Sequence, residues 1–196
     1  MTRGVKVLRN TGFVLIVLFG VVGALMVAGY AFQDLSLWAA IGSTAAWLVP
    51  MVVLSVVAMR SERVAPPTFV VLTVVVGALT ILASSFGWVG RDGRGPVAAI
   101  GIFALAVALG FLGLRRTALA GVLLVVLGLA QLAAAVVELA NAGAEGPGPG
   151  LSHILSSSSG VVVLPVVLVG LLYLAAGGMG HDTVRVGHVP PPRVAH

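Results

Sequence analysis

Apolar residues run through this chain in six long blocks, and the polar positions between them are few and clustered. The blocks cover approximately residues 11–32, 36–59, 67–89, 97–114, 117–140 and 159–179, and none carries a charge near its middle. A helix needs about 20 apolar residues to cross roughly 30 Å of hydrocarbon, so all six are long enough to be read as spans. Hydrocarbon offers no partner to a backbone N–H or C=O, so such segments are predicted as helices that satisfy themselves. The predicted fold class is all-α, a polytopic integral membrane protein built as a bundle of six transmembrane helices. In this reading residues 1–10 form a basic cytoplasmic N-terminal segment, 11–180 the six-helix domain, and 181–196 a flexible cytoplasmic tail containing His and Pro.

Composition strengthens the pattern. The 196 residues are 59% hydrophobic and 9% charged, with a mean hydropathy of +1.15. Soluble domains carry about 25% charged residues, and a soluble fold of this size still exposes much of its surface to water. So apolar a chain predicts the cell membrane and the lipid bilayer as its surroundings. The net charge of +5 is spread over the ends of apolar blocks rather than one soluble face, which argues against nucleic acid as a partner. Ten arginines against one lysine, with abundant Ala, Val and Gly, suggest a GC-rich and bacterial source.

The charges also predict orientation. Arg3, Lys6 and Arg9 precede the first block, Arg60 and Arg63 sit between the second and third, and Arg115 and Arg116 between the fourth and fifth. With Arg185 and Arg193 in the tail, these segments hold nine of the eleven basic residues and share one side if there are six spans. The other side keeps Arg91 and Arg94 with the acids Asp34, Asp92, Glu138 and Glu145. Positive loops stay inside, so both termini are predicted to be cytoplasmic. Tyr30, Phe32, Trp38, Phe86 and Trp88 fall near the opposite interface, where amphipathic rings prefer to sit. A cleaved signal peptide ending near Gly29 or Ala31 is the competing reading of the first block. Its apolar core would be about 7–15 residues long, and this block is longer, so an uncleaved helix is expected.

Small residues at four-residue spacing let membrane helices approach closely. Gly20, Ala24 and Ala28 form such a ladder on the first helix; ordinary packing within the bundle is the preferred reading, and an interface with a separate subunit is the sharper one. Gly42 and Ala46, Ala106 and Gly110, and Ala130 and Ala134 repeat the spacing on the second, fourth and fifth. Pro50 and Pro165 each remove a donor from a helix interior. The tetrapeptide AAIG recurs at 39–42 and 98–101, in helices of the same predicted direction, and hints at a duplicated hairpin. Contrasting loop lengths weigh against duplication.

Candidate chemistry is sparse. LSHILSSSSG at 151–160 gathers His153 with Ser156, Ser157, Ser158 and Ser159. No third triad member and no G-x-S-x-G elbow accompanies them, and serines suit a helix N-terminus, where their oxygens accept free N–H groups. No catalytic residue is assigned. The absence of cysteine excludes thiolate metal sites and thiol nucleophiles, the spacing of His181, His188 and His196 matches no zinc pattern, and neither metal nor cofactor is expected. Gln131 and Glu138 are seven residues apart on one helix face, toward its outer end, and are the candidate lining of a shallow outward-facing solute site. In the alternative arrangement Gln131 bonds a neighbouring helix and Glu138 reaches the headgroups. Arg91 and Arg94, in the turn RDGRGP, are candidates for contact with a lipid phosphate or another anion.

Two functions follow as expectations. The first is a non-enzymatic membrane subunit or scaffold, assembling through small-residue helix faces with another membrane protein or with itself. The alternative is a small solute transporter, or the substrate-binding subunit of one, working through Gln131 and Glu138.

Overall fold

A computed structural model of the chain describes residues 3–31, 36–86, 95–142 and 158–182, all of them in helices or the short turns joining them. Six helices follow in order: α1 Arg3–Ala31, α2 Leu37–Arg60, α3 Ala65–Ser85, α4 Gly95–Gly113, α5 Thr117–Ala142 and α6 Ser158–Asp182. The apolar blocks thus appear as helices in the order the sequence implies, with shifted ends. The largest shift is at the start. Arg3, Lys6 and Arg9 lie inside α1 rather than in a segment before it, because nothing in residues 3–10 breaks a helix. Prolines occupy the first turn of α3, where a missing N–H costs nothing. At the other end α6 opens inside the serine run, at Ser158, and reaches Asp182.

Among the described residues three helical stretches are long and apolar enough to cross a membrane: Arg3–Met26, Ala65–Ser85 and Thr117–Val137. The apolar stretches Thr44–Arg60, Ile100–Gly113 and Val163–Gly178 of α2, α4 and α6 are shorter.

Contacts between named residues fix the directions. Gly20 meets Val107, Gly110 meets Ile16, and Arg9 reaches Leu114, so α1 runs antiparallel to α4. Gly128 meets Val167 and Gly177 meets Ala118, so α5 runs antiparallel to α6. Gly77 meets Ala130, and Gln131 bonds Thr80, so α3 and α5 run parallel. The helices in contact include both antiparallel and parallel pairs, with α4 at the centre, touching the other five. Every residue from Ile102 to Gly110 on it is buried, as expected of a helix apolar on all sides.

The interior is selected by size as well as by apolarity. Large aliphatic side chains point outward along α1, α2 and α3, among them Leu18, Leu25, Val49, Val53, Val71 and Leu79. Glycines and alanines occupy the contacts. An added Cβ on Gly121 would lie 2.9 Å from the Gly170 carbonyl oxygen, and one on Gly170 would lie 3.1 Å from the Gly121 carbonyl oxygen. Here α5 and α6 meet backbone to backbone, and their contact is the most extensive in the bundle. That inside-out distribution suits hydrocarbon, where close packing rather than hydrophobic burial holds helices together.

Candidate functional site

The charged residues whose side chains are described gather at one end of the bundle: Arg3, Lys6 and Arg9 on α1, Arg60, Glu62 and Arg63 around the α2–α3 turn, and Arg115 and Arg116 in the α4–α5 turn. Glu138 lies toward the far end of α5, and Asp182 ends α6. Two links tie these segments together: Arg9 Nη1 donates to the Leu114 carbonyl at 3.2 Å, and Arg115 Nη1 donates to Glu62 Oε1 at 3.1 Å. The ion pair is solvent-facing, with Arg115 and Glu62 side chains 45% and 76% exposed. Its contribution to stability is about 0–1 kcal/mol.

The end of α4 accounts for its carbonyls one by one. A helix leaves its last four C=O groups without intrahelical donors. Here Tyr173 Oη donates to Gly110 O at 3.2 Å, and Thr117 Oγ1 to Gly113 O at 2.9 Å. The Leu114 N–H turns to Phe111 O, the Arg115 and Arg116 N–H groups share Leu112 O, and Arg9 takes Leu114 O. Tyr173 is fully buried, and its ring fits because Gly12 on α1 and Gly113 on α4 carry no side chain. A Cβ on Gly12 would lie 2.7 Å from Tyr173 Cε1. This cluster joins α1, α4 and α6 at the arginine end. Neither Tyr173 nor Arg9 was singled out from sequence. A tyrosine within an apolar block, aligned with glycines in two other blocks, is the only signal that could have found it.

The residues singled out from sequence fall into different places. Gln131 is 6% exposed, and its Nε2 donates to Thr80 Oγ1 on α3 at 3.3 Å, while Thr80 Oγ1 donates to its own Val76 carbonyl at 2.8 Å. Its amide is therefore engaged between α3 and α5. Glu138 lies in α5, but its side chain is outside the described part, so the pair is not brought together on the page. Gly20 and Ala24 are buried in the α1–α4 contact, where Gly20 faces Val107. Gly20 and Ala24 thus pack against α4 of the same chain, the internal packing that the sequence reading preferred. Ala28 is in α1 with its side chain outside the described part. Arg91, Arg94, His153, Ser156 and Ser157 lie outside the described residues, as do His188 and His196. Among the described residues no three of His, Cys, Asp and Glu gather as a metal site would require.

Two concave features share one face of the bundle. A cavity of about 430 Å³ opens between α2, α3 and α4, lined by Ala46, Trp47, Pro50 and Leu54 of α2, Leu72 and Val76 of α3, and Ile100, Gly101, Ala104 and Leu105 of α4. A smaller cup of about 160 Å³ lies at the arginine end, formed by Ala58, Glu62, Ala65, Pro66, Leu112, Arg115 and Arg116. Trp47 is 8% exposed, and its indole N–H has no acceptor. Pro50 also gives no N–H to the Ala46 carbonyl four residues earlier.

A helical bundle with this exterior is compatible with a membrane protein, and three of its helices have the length and apolarity to cross a bilayer. No family model, curated protein or solved structure matches the chain.

Proposed function

We propose that the chain is a multi-pass protein of the cell membrane in which all six helices span the bilayer and both termini face the cytoplasm. It acts as a non-enzymatic subunit or scaffold that binds another membrane protein or a second copy of itself. The observation that carries this reading is the condition of α2. Its outward face presents Gly42, Ala45 and Ala46 beside Val49 and Val53, and a Cβ on Gly42 would meet nothing within 4 Å. The small pairs at the same four-residue spacing on α1, α4 and α5 meet partners within the chain: Gly20 meets Val107, Gly110 meets Ile16, and Ala130 meets Gly77. Gly42, with the exposed Ala45 beside it, is left for a neighbour, in a setting where small residues let helices approach, while Ala46 borders the cavity between α2, α3 and α4. The orientation is supported by the gathering of all seven described basic residues at one end, while the acid Glu138 lies toward the other.

The chain has no native cysteine, so single introduced cysteines report topology directly. An impermeant maleimide applied to intact cells should label Asp92→Cys and leave Ser61→Cys unlabelled until the membrane is opened; the reverse pattern refutes the orientation. For assembly, the tagged chain is purified from native membranes in mild detergent. A stoichiometric partner or dimer should co-elute and be lost with Gly42→Ile, which creates no clash inside the chain. A single monomeric species from wild type would refute the subunit reading.

A further inference from the structure

We infer that the groove between α2, α3 and α4 holds one anionic phospholipid from the leaflet on the arginine side, its phosphate at Arg115 and Arg116 and an acyl chain running to Trp47 and Gly101. This goes beyond the subunit reading and rests on it only in placing the arginine turns at a membrane surface.

The cup and the cavity lie along one line. On α2, Trp47, Pro50, Leu54 and Ala58 follow at steps of three and four, which keeps them on one face, and Glu62 lies in the turn just beyond. On α4, Leu105 of the cavity and Leu112 of the cup are two turns apart, about 10 Å along the axis. From Arg60, Leu54 lies about 9 Å and Trp47 about 20 Å deeper at 1.5 Å per residue. The cavity therefore occupies acyl-chain depth in a hydrocarbon layer of about 30 Å, while the cup sits where headgroups are.

Charge complements that arrangement. The two connections carry four arginines, Arg60, Arg63, Arg115 and Arg116, and one carboxylate, Glu62; of the arginines, Arg115 and Arg116 line the cup. Glu62 would repel a phosphate, but its carboxylate is paired to Arg115. Arg116 is exposed, and among the described residues its side chain has no ion-pair partner. Basic pockets between helices at a membrane surface suit anionic headgroups, and guanidinium forks suit phosphate oxygens.

Gly101 supplies the second argument. The glycines buried between helices, such as Gly20, Gly110, Gly121 and Gly128, are each pressed by a neighbour, whereas a Cβ on Gly101 would meet no heavy atom within 4 Å. Among the described residues none uses the space that Gly101 leaves, and that space belongs to the cavity. The cavity's lining is apolar apart from the Trp47 indole N–H, which suits an acyl chain.

Trp47 is the reporter. With Trp38→Phe and Trp88→Phe, it becomes the only tryptophan of the full chain. The protein is reconstituted in phosphatidylcholine vesicles containing a small fraction of lipid brominated near the chain ends. Phosphatidylglycerol so labelled should quench Trp47 saturably and several-fold more than labelled phosphatidylcholine at the same fraction. Arg115→Gln with Arg116→Gln should abolish that preference, and the lysine pair should keep part of it. Gly101→Leu should remove the saturable component, and Gly101→Ala should reduce it if the larger residue impairs folding. Equal quenching by the two lipids, or a preference that survives loss of both arginines, overturns the inference. So does inorganic phosphate that erases the preference while chloride of equal ionic strength does not, since the cup would then hold a free anion. Maleimide labelling of Ser61→Cys in the same vesicles separates the two readings. No labelling from either side of the bilayer removes the membrane-surface placement, and labelling without lipid preference removes only the lipid.

Discussion

Gly121 and Gly101 make a paired test of what glycine does in this bundle, because the same substitution should act with opposite sign at the two sites. At Gly121 an added methyl would lie 2.8 Å from the Leu174 backbone nitrogen and 2.9 Å from the Gly170 carbonyl oxygen. Both obstacles are backbone, so no rotamer change relieves them and α5 and α6 must part. Non-bonded carbons sit about 3.5–4.0 Å apart at their optimum, and a gap of 0.5–1 Å forfeits a quarter to a half of each contact beyond it. Overpacking of this kind costs about 1–3 kcal/mol, partly offset by the roughly 0.5–1 kcal/mol that alanine gains over glycine within a helix. Gly121→Ala should therefore destabilise by about 1–2 kcal/mol. Gly101→Ala meets no neighbour, so only the helix term remains, about 0.5–1 kcal/mol of stabilisation. The two variants should differ by about 2–3 kcal/mol, roughly 30–150-fold in the unfolding equilibrium constant. Reversible unfolding in mixed micelles, driven by the fraction of denaturing detergent and followed by far-ultraviolet circular dichroism, measures this without phospholipid. Gly170→Ala should resemble Gly121→Ala, and the double variant should cost less than the sum because both part the same pair. Equal stability of Gly121→Ala and Gly101→Ala would refute the backbone-to-backbone contact.

Three further outcomes follow from buried polar groups, each read by the same unfolding assay. Tyr173→Phe leaves the Gly110 carbonyl without its donor and should cost about 1–2 kcal/mol; no change would mean that carbonyl finds another partner. Gln131→Leu removes the α3–α5 hydrogen bond to Thr80 and should cost only about 0.6 kcal/mol, the average for such bonds in membranes; a loss several times larger would show Gln131 to hold more than this tie. Trp47→Phe removes a buried indole N–H with no acceptor, so despite the smaller ring it should be neutral or slightly stabilising, and a loss above about 2 kcal/mol would indicate a partner for that donor.

The elements of this fold were legible in the sequence, and their partners were not. Six apolar blocks with no charge near the middle, separated by short polar segments, left little freedom about where helices lie. Which face of each helix turns inward was another matter, since Val, Leu and Ala surround most of them and polarity does not separate a core side from a lipid side. Gly20 and Ala24 illustrate the consequence. Their spacing correctly marked a close helix contact, but the same spacing serves a neighbour in the chain and a neighbour in another chain equally well. Only the positions of Val107 and Phe103 decided between them. Gln131 was readable as polar and deep, but its engagement with Thr80 depends on α3 and α5 running side by side, which no periodicity states.

The arginine end shows how one set of residues serves two purposes that sequence reading merges. Arg9, Arg115 and Arg116 all count as basic residues outside hydrocarbon. Yet Arg9 is half-buried and spends its guanidinium on the last carbonyl of the α4 turn, Arg115 is held by Glu62, and Arg116 is left exposed over the cup. A charge needed only for orientation has no reason to be positioned beside a cavity. The central helix α4 explains why these are. Its end is satisfied from α1 and α6 on one side, through Arg9 and Tyr173, which fixes those helices against it. On the other side α2 and α3 touch each other only slightly and stand apart over Gly101 and Ala104. At the arginine end one side of the bundle is thus closed by glycine contacts and capped carbonyls, while the α2–α3 side stands open beside a charged cup. The open side is where a ligand or neighbour has something to complete.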